Sequence, residues 1–193
     1  MKNPIQNFLN LWKKAQEKKD PVADAIYLAT VDTEGKPYVR TVLLKKLSGD
    51  RIGFVSRLGG RKNNHLSHQN DLEFCVNWST LGLQVRLRCT TAPLNREDRD
   101  HLWSLRPRDA QIVYHMGLNQ SSEIPSYDWL VNQFESLKEK WRDLKDIVLS
   151  KEYIGYELHP YAIEFLSHNI TRLNRRDLYE KQGKTWIHKT LAP

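Results

Sequence analysis

Short strand-like segments in hairpin order constrain this chain more than any other feature. Ala25–Val31 and Pro37–Leu47 are strand-like runs joined by Asp32-Thr33-Glu34-Gly35, which reads as a hairpin. Arg51–Ser56, Leu72–Trp78 and Leu83–Thr91 follow as three further strands. The C-terminal stretch adds Tyr153–Leu158, Ala162–Ser167, Leu173–Glu180 and Lys184–Leu191. Helices are grouped between these runs: 4–19, which Asn3 can cap and Pro4 can start; Gly59–Gln69; 95–116, broken at Pro107; and 126–145. A strand–helix–strand alternation is missing, which argues against a doubly wound nucleotide fold. The pattern predicts an α+β fold, an antiparallel sheet or barrel with flanking helices. No linker or repeat divides it, so 1–193 reads as one domain, with a helix over 1–20 and completing strands over 153–193.

At 193 residues, with 39% hydrophobic and 27% charged residues, the chain can bury a core without staples. Cys75 and Cys89 lie in strand-like stretches and suggest no disulfide framework. The N-terminus is amphipathic and charged rather than signal-like, and no apolar run approaches membrane-spanning length. The expectation is a cytoplasmic protein with no membrane partner. A net charge of +7 and a pI near 9.4 invite an anionic partner. Most lysines alternate with acids on helical stretches and read as solvated faces, so the informative cations are those beside glycines or on strands.

Four such groups stand out. Gly59-Gly60-Arg61-Lys62 opens a predicted helix, where free N–H groups and two cations suit a phosphate. Arg40 and Lys45 sit in an otherwise apolar strand, where a charge is costly without an anion. Five residues apart, they face opposite sides of a regular strand, so one ligand meets both only through a bulge or a frayed end. Gln84, Arg86 and Arg88 alternate with Val85, Leu87 and Cys89, which reads as a solvent-facing row. Arg172-Leu173-Asn174-Arg175-Arg176 packs three arginines into five positions and could hold an anion, nucleic acid or an ion-pair network. His65 and His68 share a helix face without an acidic or cysteine partner, which favours a surface helix over a metal site. No metal is expected.

In order and spacing these strings resemble the pyridoxamine 5′-phosphate oxidase family from about Asp20 to the end of the chain. Leu28-Ala29-Thr30-Val31-Asp32 with Gly35, Pro37 and Arg40 is similar to the family's opening hairpin, and Arg40-Thr41-Val42-Leu43-Leu44-Lys45 to its flavin-binding strand. Arg61-Lys62 resembles its flavin-phosphate clamp, Gln84-Val85-Arg86 its next strand, and Arg106-Pro107-Arg108-Asp109-Ala110-Gln111-Ile112 its SRPR-x-SQI segment. Gln120-Ser121 and Arg172-Leu173-Asn174-Arg175-Arg176 occupy the places of a further flavin contact and of the family's RLHDR. The resemblance implies an FMN-binding split barrel, homodimeric, with each flavin site at the subunit interface. Carried over position by position, Arg40, Thr41, Val42, Leu43, Leu44, Lys45, Val55, Ser56, Arg61, Lys62, Gln84, Gln120, Ser121 and Arg176 would hold FMN. Lys45, Arg106, Arg172 and Asn174 would hold an anionic or phosphorylated small molecule, with Arg172 and Asn174 as catalytic residues. The implied reaction is hydride transfer from substrate to FMN, with O₂ reoxidising the flavin.

The departures fall mainly on the substrate side. The family's lysine, tyrosine, arginine and serine around the substrate phosphate are Lys45, Leu102, Arg106 and Ala110 here, so both hydroxyls are missing. At roughly 1.5–3 kcal/mol per hydrogen bond to a charged group, their loss could weaken binding about 10²–10⁴-fold. The RLHDR histidine is Asn174, which cannot take a proton near neutral pH, and its aspartate is Arg175. Beside the flavin, the family's tryptophan is Leu166 and its Tyr-Thr pair is Val55-Ser56. Two alternatives follow: an oxidoreductase of the same fold acting on another ring, such as a phenazine precursor, or a non-catalytic flavin or B6-phosphate binder. Nucleic acid ranks below both, because no such motif is present and the arginines coincide with the flavin and substrate positions.

Overall fold

The computed structural model describes residues 3–193; Met1 and Lys2, which begin the N-terminal helix expected over 1–20, lie outside the described residues. Helix α1 (Pro4–Glu17) starts where Asn3 accepts a hydrogen bond from the Ile5 N–H, with proline in its first turn. It buries Phe8, Leu9, Trp12 and Ala15 in the same apolar core as the strands. The Phe8 ring lies 5.6 Å from that of Trp78.

Eight antiparallel strands follow: β1 (Ala25–Val31), β2 (Pro37–Lys46), β3 (Ile52–Arg57), β4 (Asp71–Trp78), β5 (Leu83–Pro93), β6 (Tyr153–Ser167), β7 (Arg175–Gln182) and β8 (Thr185–Leu191). Their order in the sheet is β3-β2-β1-β4-β5-β6-β7-β8, and a second pairing of β3 with β6 closes the first six into a barrel. Helix α2 (Arg61–His68) joins β3 to β4, while α3 (Arg96–Ser104), α4 (Arg108–Val113) and α5 (Tyr127–Lys140) lie between β5 and β6. Pro107 separates α3 from α4, as expected of a residue without an N–H. Among the described residues, no helix is long and apolar enough to cross a membrane.

Two sequence expectations need correction. Tyr153–Leu158 and Ala162–Ser167 are one strand, not two. His159-Pro160 looks like a turn, but the register slips there instead: Cys89 faces Pro160, Arg88 faces Ala162, and Tyr161 is the extra residue of a bulge. The lower half of this long strand pairs with β3 and the upper half with β7, so β6 both closes the barrel and carries its extension. The strand expected from Leu173 starts at Arg175, and Leu173 lies exposed in the preceding loop.

The feature that shapes the site is where β2 loses a neighbour. Pro37–Leu43 pair with β1, but only Leu44–Lys46 pair with β3, which then turns away to β6. One edge of β2 is therefore open over its first seven residues. The turn of β3 towards β6 requires close backbone approach: a Cβ on Gly53 would stand 2.5 Å from the Tyr156 carbonyl oxygen. Gly53→Ala is expected to lower stability by about 1–3 kcal/mol, the usual scale of overpacking, as read by denaturant unfolding.

Candidate functional site

Alternate residues of a strand turn their backbone groups to opposite edges. The Leu44 N–H bonds to the Asp24 oxygen on the β1 side, 2.8 Å away, so the N–H and C=O groups of Val39, Thr41 and Leu43 point towards the open edge. Along that edge runs a cavity of about 620 Å³. Arg40, Thr41, Val42, Leu43 and Lys45 form one wall, and Val55, Ser56 and Lys62 another. The segment after α4, including Gln120 and Ser121, forms a third. Arg40 and Lys45 thus meet one space with neither a bulge nor a frayed end, because the cavity follows the strand edge rather than one face. Leu44 does not join them; its side chain is 2% exposed and packs in the barrel core.

At one end the cations converge. Lys62 is 7% exposed, and its Nζ donates to Gln120 Oε1 at 3.1 Å. Burial first and the charge of Arg40 second hold its amine below the ordinary lysine range. Gly60 allows this approach, since a Cβ there would stand 2.7 Å from Gln120 Oε1. Arg61 lies over the Tyr38 ring at 5.4 Å, and Arg61, Arg40, Lys62, Gln120 and Ser121 share a smaller adjoining cavity. Ser121 has φ +69°, a left-handed conformation costly for a side chain with a Cβ.

At the other end Arg106 lies over the rings of Tyr114 and Tyr153, at 5.0 and 5.4 Å. Its buried Nε has no hydrogen-bond partner among the described residues. Arg57 covers Tyr114 at 4.8 Å, anchored through the carbonyls of Leu118 and Val113. Burial raises the phenol pKa of Tyr114 and Tyr153, against the pull of Arg106. Neither Leu102 nor Ala110 lines this cavity, and Leu102 packs with Trp103, Ile112 and Tyr153 in a second apolar core. Sequence reasoning missed Arg57, Tyr114 and Tyr153; the available signal was an arginine directly after Val55-Ser56 and an aromatic residue shortly after the Arg106 segment.

Five cations, Arg40, Lys45, Arg57, Lys62 and Arg106, line the large cavity and no carboxylate does; among the described residues only Arg57 of the five has an acid beside it, Glu152 at 3.5 Å. A cation withdrawn from water without an acid is held at a cost that an anion would remove. The donor set therefore fits a ligand with anionic groups at two ends and hydrogen-bonding atoms between, as a flavin phosphate beside an acidic substrate would present.

The remaining sequence-selected residues lie elsewhere. Gln84, Leu166 and Arg176 form a cross-strand row on β5, β6 and β7, separated from β2 by β1 and β4. Arg176 is not loose: its Nε and Nη2 both donate to Glu164 Oε1, at 3.1 and 2.9 Å, and Arg86 donates to the other oxygen at 2.7 Å. The Arg86 and Arg88 row is on the less buried face of β5, as expected, with Arg88 exposed and Arg86 half-buried, and it is also paired with Glu164 and Glu73. Arg172 (φ +66°) and Asn174 sit in the loop before β7, where Asn174 Oδ1 accepts from the Asn169 N–H. His65, expected on a helix surface, is buried at 6% exposure, bonded to Thr30 and packed on Tyr38.

The pyridoxamine 5′-phosphate oxidase family model matches residues 16–141. The chain belongs to the pyridoxamine 5′-phosphate oxidase family. It is 33% identical over 194 residues to a pyridoxine/pyridoxamine 5′-phosphate oxidase of Vibrio cholerae, covering 99% of this chain and 90% of that one. It is 29% identical over 191 residues to one of Leptospira biflexa, covering 99% and 89%. In fold it is similar to PhzG from Burkholderia lata 383, solved in complex with tetrahydrophenazine-1-carboxylic acid, with a TM-score of 0.89 at 23% identity over 99% of this chain and 93% of that one. A pyridoxamine 5′-phosphate oxidase-related, FMN-binding protein of Nostoc punctiforme superposes with a TM-score of 0.80 at 16% identity, both chains being covered fully.

The depressed Lys62 pKa has a consequence for the unliganded protein. The unfolded chain keeps this proton to higher pH than the folded one, so the penalty is full below the folded pKa and fades as pH rises towards the unfolded value. Lys62→Met is expected to flatten that rise and to stabilise the unliganded protein at neutral pH by about 1 kcal/mol. Inorganic phosphate is expected to raise the melting temperature of the unchanged protein, and Lys62→Met to abolish that shift.

Proposed function

We propose that this protein is an FMN-dependent oxidase that acts on a small anionic ring compound and works as a homodimer in the cytoplasm, with residues 1–193 forming one functional unit. The observation that carries the reading is the carboxylate-free, five-cation cavity laid along an open strand edge. In this reading Arg40, Arg61, Lys62, Gln120 and Ser121 hold the FMN phosphate. Thr41, Val42, Leu43, Lys45, Val55 and Ser56 line the ring, with the open-edge backbone of Val39 and Thr41 offering donors and acceptors to its edge. Bound FMN would supply the two-electron acceptor for a hydride from substrate and pass those electrons to O₂. Lys45 and Arg106 would fix the substrate's anionic group and so orient the carbon that gives up the hydride.

A second copy supplies what one chain keeps apart. Gln84 and Arg176 for the cofactor, and Arg172 and Asn174 for the substrate, lie away from the chain's own cavity. The outer face of β1 and β2 beside that cavity exposes Tyr27, Val39 and Leu43, with Val39 at 68%. An apolar strip of this kind next to an incomplete site suits a twofold interface, in which each copy lends its arginine row to the other.

The substrate's acidic group has two readings. The family relatives point to a 5′-phosphate. Arg106 beside the rings of Tyr114 and Tyr153, with no hydroxyl offered by Leu102 or Ala110, neither of which lines the cavity, favours a ring carboxylate, the kind of group carried by the ligand in the PhzG structure. Anaerobic flavin absorbance separates them. Bleaching by pyridoxamine 5′-phosphate at a turnover rate selects the phosphate, whereas bleaching only by a partly reduced aromatic carboxylate selects the other. With either substrate, Arg106→Met should raise the half-saturating concentration about 10–100-fold while flavin stays bound. A flavin that loads but is reduced by neither compound would overturn the oxidase reading.

The two-copy site is tested by mixing. Arg40→Glu and Arg176→Glu should each lose FMN alone. Dissociated together and reassociated, they should regain about a quarter of the sites, because half the dimers are hybrids with one intact site each. No recovery would overturn the shared site.

A further inference from the structure

Thr30 and His65 are buried polar groups, 3% and 6% exposed, that stand directly behind the cation cluster and that the reading above leaves without a role. Arg40 Nη1 donates to the Leu28 carbonyl at 3.2 Å and to Thr30 Oγ1 at 2.6 Å. A guanidinium has only donors, so the Thr30 oxygen accepts, and its own proton must go elsewhere. His65 Nδ1 lies 2.9 Å from it. Nδ1 therefore acts as the acceptor, which makes the imidazole neutral with its hydrogen on Nε2.

We infer that Thr30 and His65 are positioning residues for the phosphate end of the cofactor site. The relay Arg40 to Thr30 to His65 pins one edge of the guanidinium, so that Nε and Nη2, which have no protein acceptor among the described residues, face the anion. The inference rests on the FMN reading and deepens it. A proton on Nδ1 would leave the buried Thr30 O–H without its acceptor and set two donors on one oxygen, which weakens the hold on the pinned edge of Arg40.

The groups facing His65 set when that happens. Thr30 comes from β1, Tyr38 and Arg40 from β2, Asp32 from the β1–β2 turn and Arg61 from α2, with the Tyr38 ring 4.8 Å away. Burial, then Arg40 and Arg61, push the imidazole pKa down, while Asp32 opposes them. The relay is thus intact above the depressed pKa and breaks as pH falls through it. The sign is diagnostic: a histidine acting only as one more cation would bind phosphate better when protonated, and the relay predicts the reverse.

The experiment is FMN affinity by flavin fluorescence quenching from about pH 5.5 to 8, with circular dichroism to check folding. Thr30→Val and His65→Leu keep the bulk but break the relay, and each should weaken FMN about 10-fold at the upper end. His65→Asn keeps an acceptor near the Nδ1 position and should stay within about 3-fold of the unchanged protein. The phosphate's own ionisation near pH 6 weakens binding in every variant, so the comparison is of slopes. The unchanged protein should lose more affinity on acidification than His65→Asn does. Equal affinities for Thr30→Val, His65→Leu and the unchanged protein would overturn the relay while leaving the FMN reading intact. Failure of the unchanged protein to bind FMN would overturn both. Nitrogen-15 NMR of the flavin-free protein gives an independent check, because a hydrogen on Nδ1 at neutral pH would also overturn the relay.

Discussion

The site depends on a strand pairing that stops early. Backbone N–H and C=O groups normally find partners, and an open edge invites whatever can pair with it. Here β3 stays with β2 for only Leu44–Lys46 before it turns to β6, and the small size of Gly53 and Gly155 lets the backbones pass. Closing the barrel through β6 and opening the edge of β2 are two results of one change of direction. The cavity follows from the way the barrel closes.

Charge is arranged around that edge with the same economy. Elsewhere the molecule pairs its buried or half-buried cations: Arg51 with Asp98 and Glu157, Arg86 and Arg176 with Glu164. Around the cavity Arg57 lies 3.5 Å from Glu152, whereas the partners of Arg40, Lys62 and Arg106 are a carbonyl, a hydroxyl, an amide and aromatic rings. These orient a cation without cancelling its charge, so the field stays directed into the cavity. The cost is borne by a fold with two apolar cores, one inside the barrel and one under α3 and α4.

Much of this could be read from the sequence. The hairpin order gave all the strands except the continuity of β6, which a proline disguised because a bulge and a turn share the same residue preferences. Arg40, Lys45 and Lys62 stood out as cations among apolar residues or beside glycines, and they do line one cavity. The paradox of Arg40 and Lys45 on opposite faces could not be resolved without knowing that β3 leaves β2. Leu44 looked equivalent to its neighbours but turns into the core, a matter of strand phase that a motif does not record. His65 was invisible as a buried group because its partner, Thr30, lies on β1, with two strands in between. Tyr114 and Tyr153 come from separate elements and meet Arg106 only in three dimensions.

The two arginines that flank Asn174 are held very differently. Arg176 is clamped by a carboxylate that also holds Arg86, so its place is fixed by the sheet itself. Arg172 stands on an exposed loop whose neighbours Ile170 and Leu173 touch little. In a site shared by two copies, a fixed arginine would serve the constant ligand and a loop-borne one the variable ligand. Substitutions in the loop could then accumulate without disturbing the rigid half. A lineage built on this scaffold could exchange one substrate for another by editing a few exposed residues while retaining its cofactor.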